Sequence, residues 1–311
     1  MRTNPAGSRN TSQVDLTTPT VDELGTAVQE LRRWQADDAA WHLHPGDIGW
    51  FWRNGPQTTA DAVRLWTRNG AVVAVGLLDG AHLLRLTTAP EVRHDRHLAR
   101  RLAADISDPQ IGVLPPGRAS VEAPAAAALQ HVLAQCGWGT DEPFTPLRRD
   151  LAQKVEDPGI RVEIVTEAES EDWAGVLRSA FGTASPTRSR WQAMASSFVY
   201  EDAACLLGYD REDAAAAVTV WSAGAGRPGL IEPMGVHENH RGRGFGRAIT
   251  LAAAAALRTM GASSASVYTP SSNTGGVATY ASAGFVALPS VLDRLRPPAS
   301  SSRQASSTNV V

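Results

Sequence analysis

Laid over itself at an offset of 147 residues, the chain repeats its own punctuation, and a repeat on that scale restricts it to two copies of one architecture. Ala89-Pro90-Glu91 falls on Val236-His237-Glu238 and Arg100 on Arg247, each followed by an amphipathic or alanine-rich helix pattern. With no gap, Gly137-Trp138 falls on Gly284-Phe285, each leading into a short strand-like stretch rich in arginine. At nearly the same offset, Thr20 to Glu23 and Thr166 to Glu169 both fit a capping box, in which the Thr hydroxyl and the Glu carboxylate each satisfy an orphan amide of a starting helix. The length of 311 residues accommodates two domains of ordinary size. One soft joint, Lys154 to Gly159, separates them, giving expected units of 21–157 and 158–297. The polar ends, residues 1–20 and 298–311, bury too little apolar surface to offset their ordering entropy and read as disordered tails.

Charge and cysteine content remove several function classes. The 29 Lys and Arg nearly balance 32 Asp and Glu, for a net charge of -3, so no diffuse basic face is offered to nucleic acid or anionic lipid. Cys136 and Cys205 stand far apart with no Cys-x-x-Cys or His/Cys cluster beside them, so neither a disulfide framework nor a bound metal is expected. There is no apolar run of the roughly 20 residues needed to cross a bilayer and no signal-peptide core in the first residues, which predicts a cytoplasmic protein without a membrane partner.

In the second copy, Arg161 to Val165 alternates as a strand, and Glu167 to Phe181 and Ser189 to Phe198 carry helical spacing. Strands are predicted over Ala203 to Tyr209, Ala214 to Ser222 and Gly229 to Val236, then a helix from about Gly246 to Met260, a strand Ser264 to Thr269, a helix Val277 to Ala283 and a final strand Phe285 to Leu295. Strands first, then alternating helix and strand, indicates an α/β (α+β) fold with a mixed sheet flanked by helices.

Between an apolar strand and an alanine-rich helix stands His240-Arg-Gly-Arg-Gly-Phe-Gly-Arg247. Its glycines let main-chain amides approach a ligand, and the following helix start adds unpaired N–H groups, a geometry suited to a pyrophosphate. The spacing fits neither a nucleotide-hydrolysing P-loop nor a dinucleotide fingerprint.

Arg241-x-x-Gly244-x-Gly246 matches the [QR]-x-x-G-x-[GA] signature of the GNAT superfamily of acyl-coenzyme-A-dependent N-acyltransferases. Asn273, Tyr280 and Gly284-Phe285 fall at the intervals of a second signature, N-x6-Y-x3-G-F. Residues 159–296 therefore resemble that superfamily, and the doubled chain resembles its tandem members. The resemblance implies two GNAT-like domains, each a splayed mixed sheet, with acetyl-coenzyme A (acetyl-CoA) as co-substrate and the amine of a small molecule or peptide as acceptor, attacked directly in a ternary complex. Pro233, lacking an N–H, would break the ladder where the family's strand splays to receive the pantetheine arm. The amides of Met234, Gly235 and Val236 would hold the thioester carbonyl. Those of Arg241, Gly242, Arg243, Gly244, Phe245, Gly246 and Arg247 would hold the pyrophosphate, with charge-assisted contacts from Arg241 and Arg243.

An attacking alkylamine, with a pKa of roughly 10, must lose a proton, and the departing thiolate must gain one. Glu232, beside the Pro233 break, is positioned either to accept the first or to orient a cationic substrate; Tyr280 occupies the position of the family's proton donor. Asn273 contacts the pantetheine or caps a helix.

Carried back by the offset, the first copy places Arg85 for Glu232, His94 for Arg241, Asp95 for Gly242, His97 for Gly244, Ala126 for Asn273 and Leu133 for Tyr280. Asp95 puts a negative charge where a phosphate should sit, so this copy is expected to be degenerate. Its tryptophans, Trp34, Trp41, Trp50, Trp52, Trp66 and Trp138, read as core or inter-lobe packing. A non-catalytic acyl-CoA-binding regulatory or scaffold protein is the alternative function. The oligomeric state is open between a self-sufficient pair of lobes and a homodimer.

Overall fold

The computed structural model describes residues 13–38 and 43–298. The first copy contains β1 (Val14–Thr17), α1 (Leu24–Trp34), α2 (Pro45–Phe51), α3 (Pro56–Ala62), β2 (Val63–Arg68), β3 (Ala71–Leu78), β4 (Leu83–Thr88), α4 (Arg96–Ser107), β5 (Ala119–Glu122), α5 (Ala128–Gln135) and β6 (Gly139–Asp150). The second repeats the order with β7 (Arg161–Ile164), α6 (Ser170–Phe181), α7 (Arg188–Ala195), β8 (Ala203–Asp210), β9 (Asp213–Trp221), β10 (Gly229–Val236), α8 (Phe245–Thr259), β11 (Ser264–Pro270), α9 (Thr274–Ser282), β12 (Val286–Ala287) and β13 (Val291–Arg296). The two mixed α/β copies share one sheet, ordered β1-β2-β3-β4-β5-β13-β6-β11-β10-β9-β8-β7, with β12 beside β6. Its parallel pairs are the corresponding ones, β4 with β5 and β10 with β11.

The centre of the sheet is built by exchange. β6, the last strand of the first copy, pairs along β11 of the second from Ser264↔Asp150 to Pro270↔Phe144. β13, the last strand of the second, pairs with β5 of the first through Arg294↔Val121. β6 and β13 also pair with each other, so each copy's sheet is completed by the other's final strand.

Three apolar cores follow. One lies under α4 and α5 in the first copy, another under α8 and α9 in the second, and the third is shared, joining Leu24, Leu31 and Trp52 to Trp173, Leu177 and Trp221. The shared core depends on close approach. A Cβ at Gly46 or Gly49 of α2 would come within 2.4 Å or 2.3 Å of Trp221, so these two glycines let the helix lie against the indole. Trp50 meets Trp173 edge-on at 6.3 Å and Trp52 meets Phe198 at 5.4 Å. The first-copy tryptophans Trp50 and Trp52 thus pack between the copies, while Trp66 and Trp138 belong to the first copy's own core; Trp41 lies outside the described residues.

Some sequence expectations need correction. The tail assigned to residues 1–20 includes β1, which pairs with β2 from Val14↔Arg68 to Thr17↔Leu65; Val14 and Leu16 supply the period-two apolar pattern that the surrounding Thr and Ser obscure. Of both expected tails, residues 1–12 and 299–311 lie outside the described residues. The final strand divides into β12 and β13 around Leu288-Pro289-Ser290, where the chain passes from the edge of β6 into its longer pairing. At the two capping boxes the carboxylates of Glu23 and Glu169 take bonds from the backbone N–H and hydroxyl of Thr20 and Thr166. They close a turn just before each helix, and neither Glu23 nor Glu169 receives a side-chain cap bond as the helix opens.

Candidate active site

The Arg/Gly loop runs from a short turn, Glu238–His240, into α8. Gly242 and Gly244 have φ of +72° and +88°, a region that L side chains enter only with strain. Gly244 is the N-cap of α8 and supplies no side-chain acceptor, so the first-turn amides need an outside partner, and an anion is the natural one. Gly246 has a different reason to be glycine: a Cβ there would lie 2.9 Å from Thr279 of α9.

Protein groups hold each of the three arginines. Arg241 donates to the Ala180 carbonyl at the end of α6 (2.8 Å), and Arg247 to the Ser282 carbonyl at the end of α9 (2.9 Å). Arg243 pairs with Asp210 at 2.6 Å and lies 3.2 Å from His240 Nδ1. They fix the loop among its neighbours, leaving main-chain N–H groups as its distinctive offering. Phe245 is buried in the second core and stacks edge-on against His240 at 5.6 Å.

The splay is present. β10 pairs with β11 only at Gly229↔Ala265 and Leu230↔Ser266, and its register against β9 shifts between Ile231 and Met234, at Pro233. The antiparallel pairing resumes at Met234↔Val218, Gly235↔Ala217 and Val236↔Ala216, and His237 N–H donates to Ala215. Because hydrogen-bonded pairs alternate along such a ladder, the Gly235 amide belongs to β9, whereas those of Met234 and Val236 face the open side. Gly235 matters for another reason: a Cβ there would lie 2.5 Å from Ala180, so glycine lets α6 close over the strand.

Below the splay opens a cavity of about 320 Å³ whose walls come from both copies. Glu232, Tyr280 and Asn273 line it together with Asp47, Arg85, Glu122 and Asp293. Tyr280 is buried, and burial together with the Glu232 carboxylate raises its phenol well above the ordinary range. Asn273 caps α9, accepting from Gly276 N–H at 3.0 Å and donating to Thr269 Oγ1 at 3.1 Å, so its cap role is the one its bonds display.

Sequence reasoning missed the charged wall. Arg85 lies 2.7 Å from Asp47, 3.2 Å from Asp79, 3.3 Å from Glu122 and 3.5 Å from Glu232. Burial, opposed by Arg85, pushes Asp47 up to about 8 and Glu122 up to about 7; burial and the Asp141 charge push Asp293 up to about 6. A signal for Arg85 was available. It occupies the repeat position of Glu232, and corresponding residues meet where two copies face each other across a pseudo-twofold axis. Asp293 arrives through strand exchange, which no local pattern announces. Among the described residues no group of three or more His, Cys, Asp or Glu could hold a metal ion, and no helix is long and apolar enough to cross a membrane.

The Acetyltransferase (GNAT) family model matches residues 165–285. A GCN5-related N-acetyltransferase from Sphaerobacter thermophilus superposes with a TM-score of 0.57 at 18% identity, covering 91% of this chain and 95% of that one. A tandem GNAT protein from the clavulanic acid biosynthesis pathway gives 0.59 at 16% identity over 91% and 98%, and a GCN5-related N-acetyltransferase from Kribbella flavida 0.55 at 17% over 89% and 95%. These likenesses establish the fold, across nearly the full length of both chains. No protein of curated function matches the sequence. The family uses acetyl-CoA as co-substrate and acts in general on amine acceptors, and the uncapped start of α8 and the outward amides of β10 suit such a thioester. The signatures and the family match fall together on residues 165–285, and the splayed sheet there is the one the fold requires; that segment is similar to the GNAT acetyltransferases, and the chain as a whole shares the fold of their tandem members.

Proposed function

We propose that the chain moves an acetyl or other short acyl group from CoA to a primary amine of a small molecule or peptide, by direct attack in a ternary complex, with catalysis confined to the second copy. The observation that carries this reading is the convergence of Glu232 and Tyr280 on one cavity at the splay of β10 from β11. On this reading the division near residue 157 separates a degenerate domain, 21–157, from a catalytic one, 158–297.

The roles follow from the environments. Glu232, with Arg85 against its carboxylate and the Trp221 indole donating to its carbonyl at 2.7 Å, is fixed as the proton acceptor for the entering amine. Tyr280, kept protonated by burial, is the donor available to a departing thiolate. The outward amides of Met234 and Val236 stabilise charge developing on the carbonyl oxygen. The amides opening α8, with the loop from Arg241 to Arg247 shaped around them, receive the pyrophosphate; Asn273 holds the start of α9 beside the pantetheine path.

Release of free thiol from acetyl-CoA across a panel of amines tests this. Tyr280→Phe should lower kcat by about a hundredfold to a thousandfold with acetyl-CoA binding retained. Unchanged turnover would remove Tyr280 from the mechanism, and tight binding without turnover on any amine would favour a regulatory or scaffold role.

A further inference from the structure

Asp293 is a buried carboxylate with an oxygen left unpaired. It is 6% exposed, lines the cavity shared with Glu232, and its Oδ1 is buried with no hydrogen bond. Its neighbours do not explain it. Arg85 is already divided among Asp47, Asp79, Glu122 and Glu232, and Asp141 of β6 is engaged by Ser120 at 2.6 Å. Four carboxylates, Asp47, Glu122, Glu232 and Asp293, thus line the cavity with one guanidinium. Arg85 acts on Asp293 only from beyond ion-pair distance; a buried carboxylate without an ion pair is costly, and the cost is relieved when a cation binds.

We infer that Asp293, with Asp47 and Glu122 beside it, receives a second cationic group of the acceptor, so that the preferred substrate is a primary amine carrying another ammonium or a guanidinium. The inference rests on the acyl-transfer reading for the amine that reacts, but the subsite can be assayed by binding alone. It divides the cavity into two functions. Glu232 serves the reacting nitrogen and Tyr280 the departing thiolate, while the carboxylates contributed by α2 and β5 of the first copy and by the exchanged strand β13 serve the distal charge. The degenerate copy thereby supplies specificity to the copy that does the chemistry. Burial and neighbouring carboxylates leave Glu122 and Asp293 partly protonated near neutral pH, so an arriving cation displaces protons from a wall that Arg85 cannot neutralise alone.

The test compares terminal diaminobutane with aminobutanol and butylamine, which share the reacting amine and differ only in the distal group. Calorimetry in the presence of CoA reads binding without chemistry, and thiol release from acetyl-CoA reads turnover. For the wild type, diaminobutane should bind more tightly than aminobutanol by about thirtyfold, the range for one buried charge pair. The same preference should appear in kcat/KM, mainly through KM. Asp293→Asn, nearly isosteric, should bring the diamine-to-alcohol ratio toward one, and Glu122→Gln should move it the same way. General damage to the fold would lower both ligands together and leave the ratio standing, which would overturn the inference. Equal or better binding of aminobutanol by the wild type would also overturn it. Selective diamine binding, lost in Asp293→Asn but accompanied by no acyl transfer, would uphold the subsite and sink the catalytic reading instead.

Discussion

The starts of α4 and α8 stand at corresponding points of the two copies and differ in what satisfies their amides. At α4 the Asp95 side chain accepts from His97 N–H at 2.8 Å and Leu98 N–H at 3.1 Å, and Arg68 binds the same carboxylate at 2.7 Å. At α8 the N-cap is Gly244, which offers no such group. The first helix carries its own anion; the second carries none, and on the proposed reading the pyrophosphate takes that place. The two starts differ in backbone as well as in side chain, Asp95 being extended at φ -71° and Gly244 left-handed at φ 88°. On the proposed reading, the first copy is silent because its helix terminus is already occupied by Asp95.

Transplanting that carboxylate gives the largest expected effect. Gly244→Asp should weaken acetyl-CoA binding by about a hundredfold, beyond the loss in Gly244→Asn, which shares the backbone strain at this left-handed position and lacks the like charge; calorimetry reporting wild-type affinity would separate anion binding from this helix start. Next comes the seam between the copies, where Gly49→Ala drives a Cβ toward the Trp221 ring and should cost about 1–3 kcal/mol of stability by overpacking, measured by denaturant unfolding. Asp95→Ala should cost about 1 kcal/mol as a lost cap while leaving acetyl-CoA stoichiometry at a single site per chain and turnover unchanged. A second binding event in that variant would show that the cap alone had silenced the first copy.

The smallest effect is in the pH dependence, where the two kinds of carboxylate have opposite signs. Partial burial works against Asp95, but the Arg68 bond and the two amides outweigh it and hold its carboxyl below the usual range, so its contribution is lost as pH falls through that lowered value. Glu122 and Asp293 are raised, to about 7 and about 6. The folded chain then binds more protons than the unfolded one above the ordinary carboxylate range, and stability should decline as pH rises toward 7. Thermal melts from pH 5 to 8 should show Tm falling by about 2–4 °C, with the slope flattened in Glu122→Gln.

The second copy was legible where local chemistry acts alone. Gly229–Val236 is β10 as its alternation predicts, Pro233 marks the register shift, and the glycine loop opens α8. Asn273 begins α9 earlier than periodicity suggests because its side chain captures the Gly276 amide, a capping event that hydrophobic spacing does not record. What stayed hidden depends on partners distant in sequence. Gly235 reads as a ligand contact in the sequence, yet its lack of a Cβ answers to Ala180, and Arg85 acquires its meaning only against Asp47, Glu122 and Glu232. Charge pairs across a pseudo-symmetric seam leave no periodic trace.

The crossing of β6 and β13 makes the duplication irreversible. A chain trimmed to the residues that match the family model, 165–285, would lose the strand that pairs along β11, because that strand, β6, lies upstream in the other copy. Neither half can close its sheet alone, so the two must fold as one body, and a lesion at either copy's final strand is felt in both.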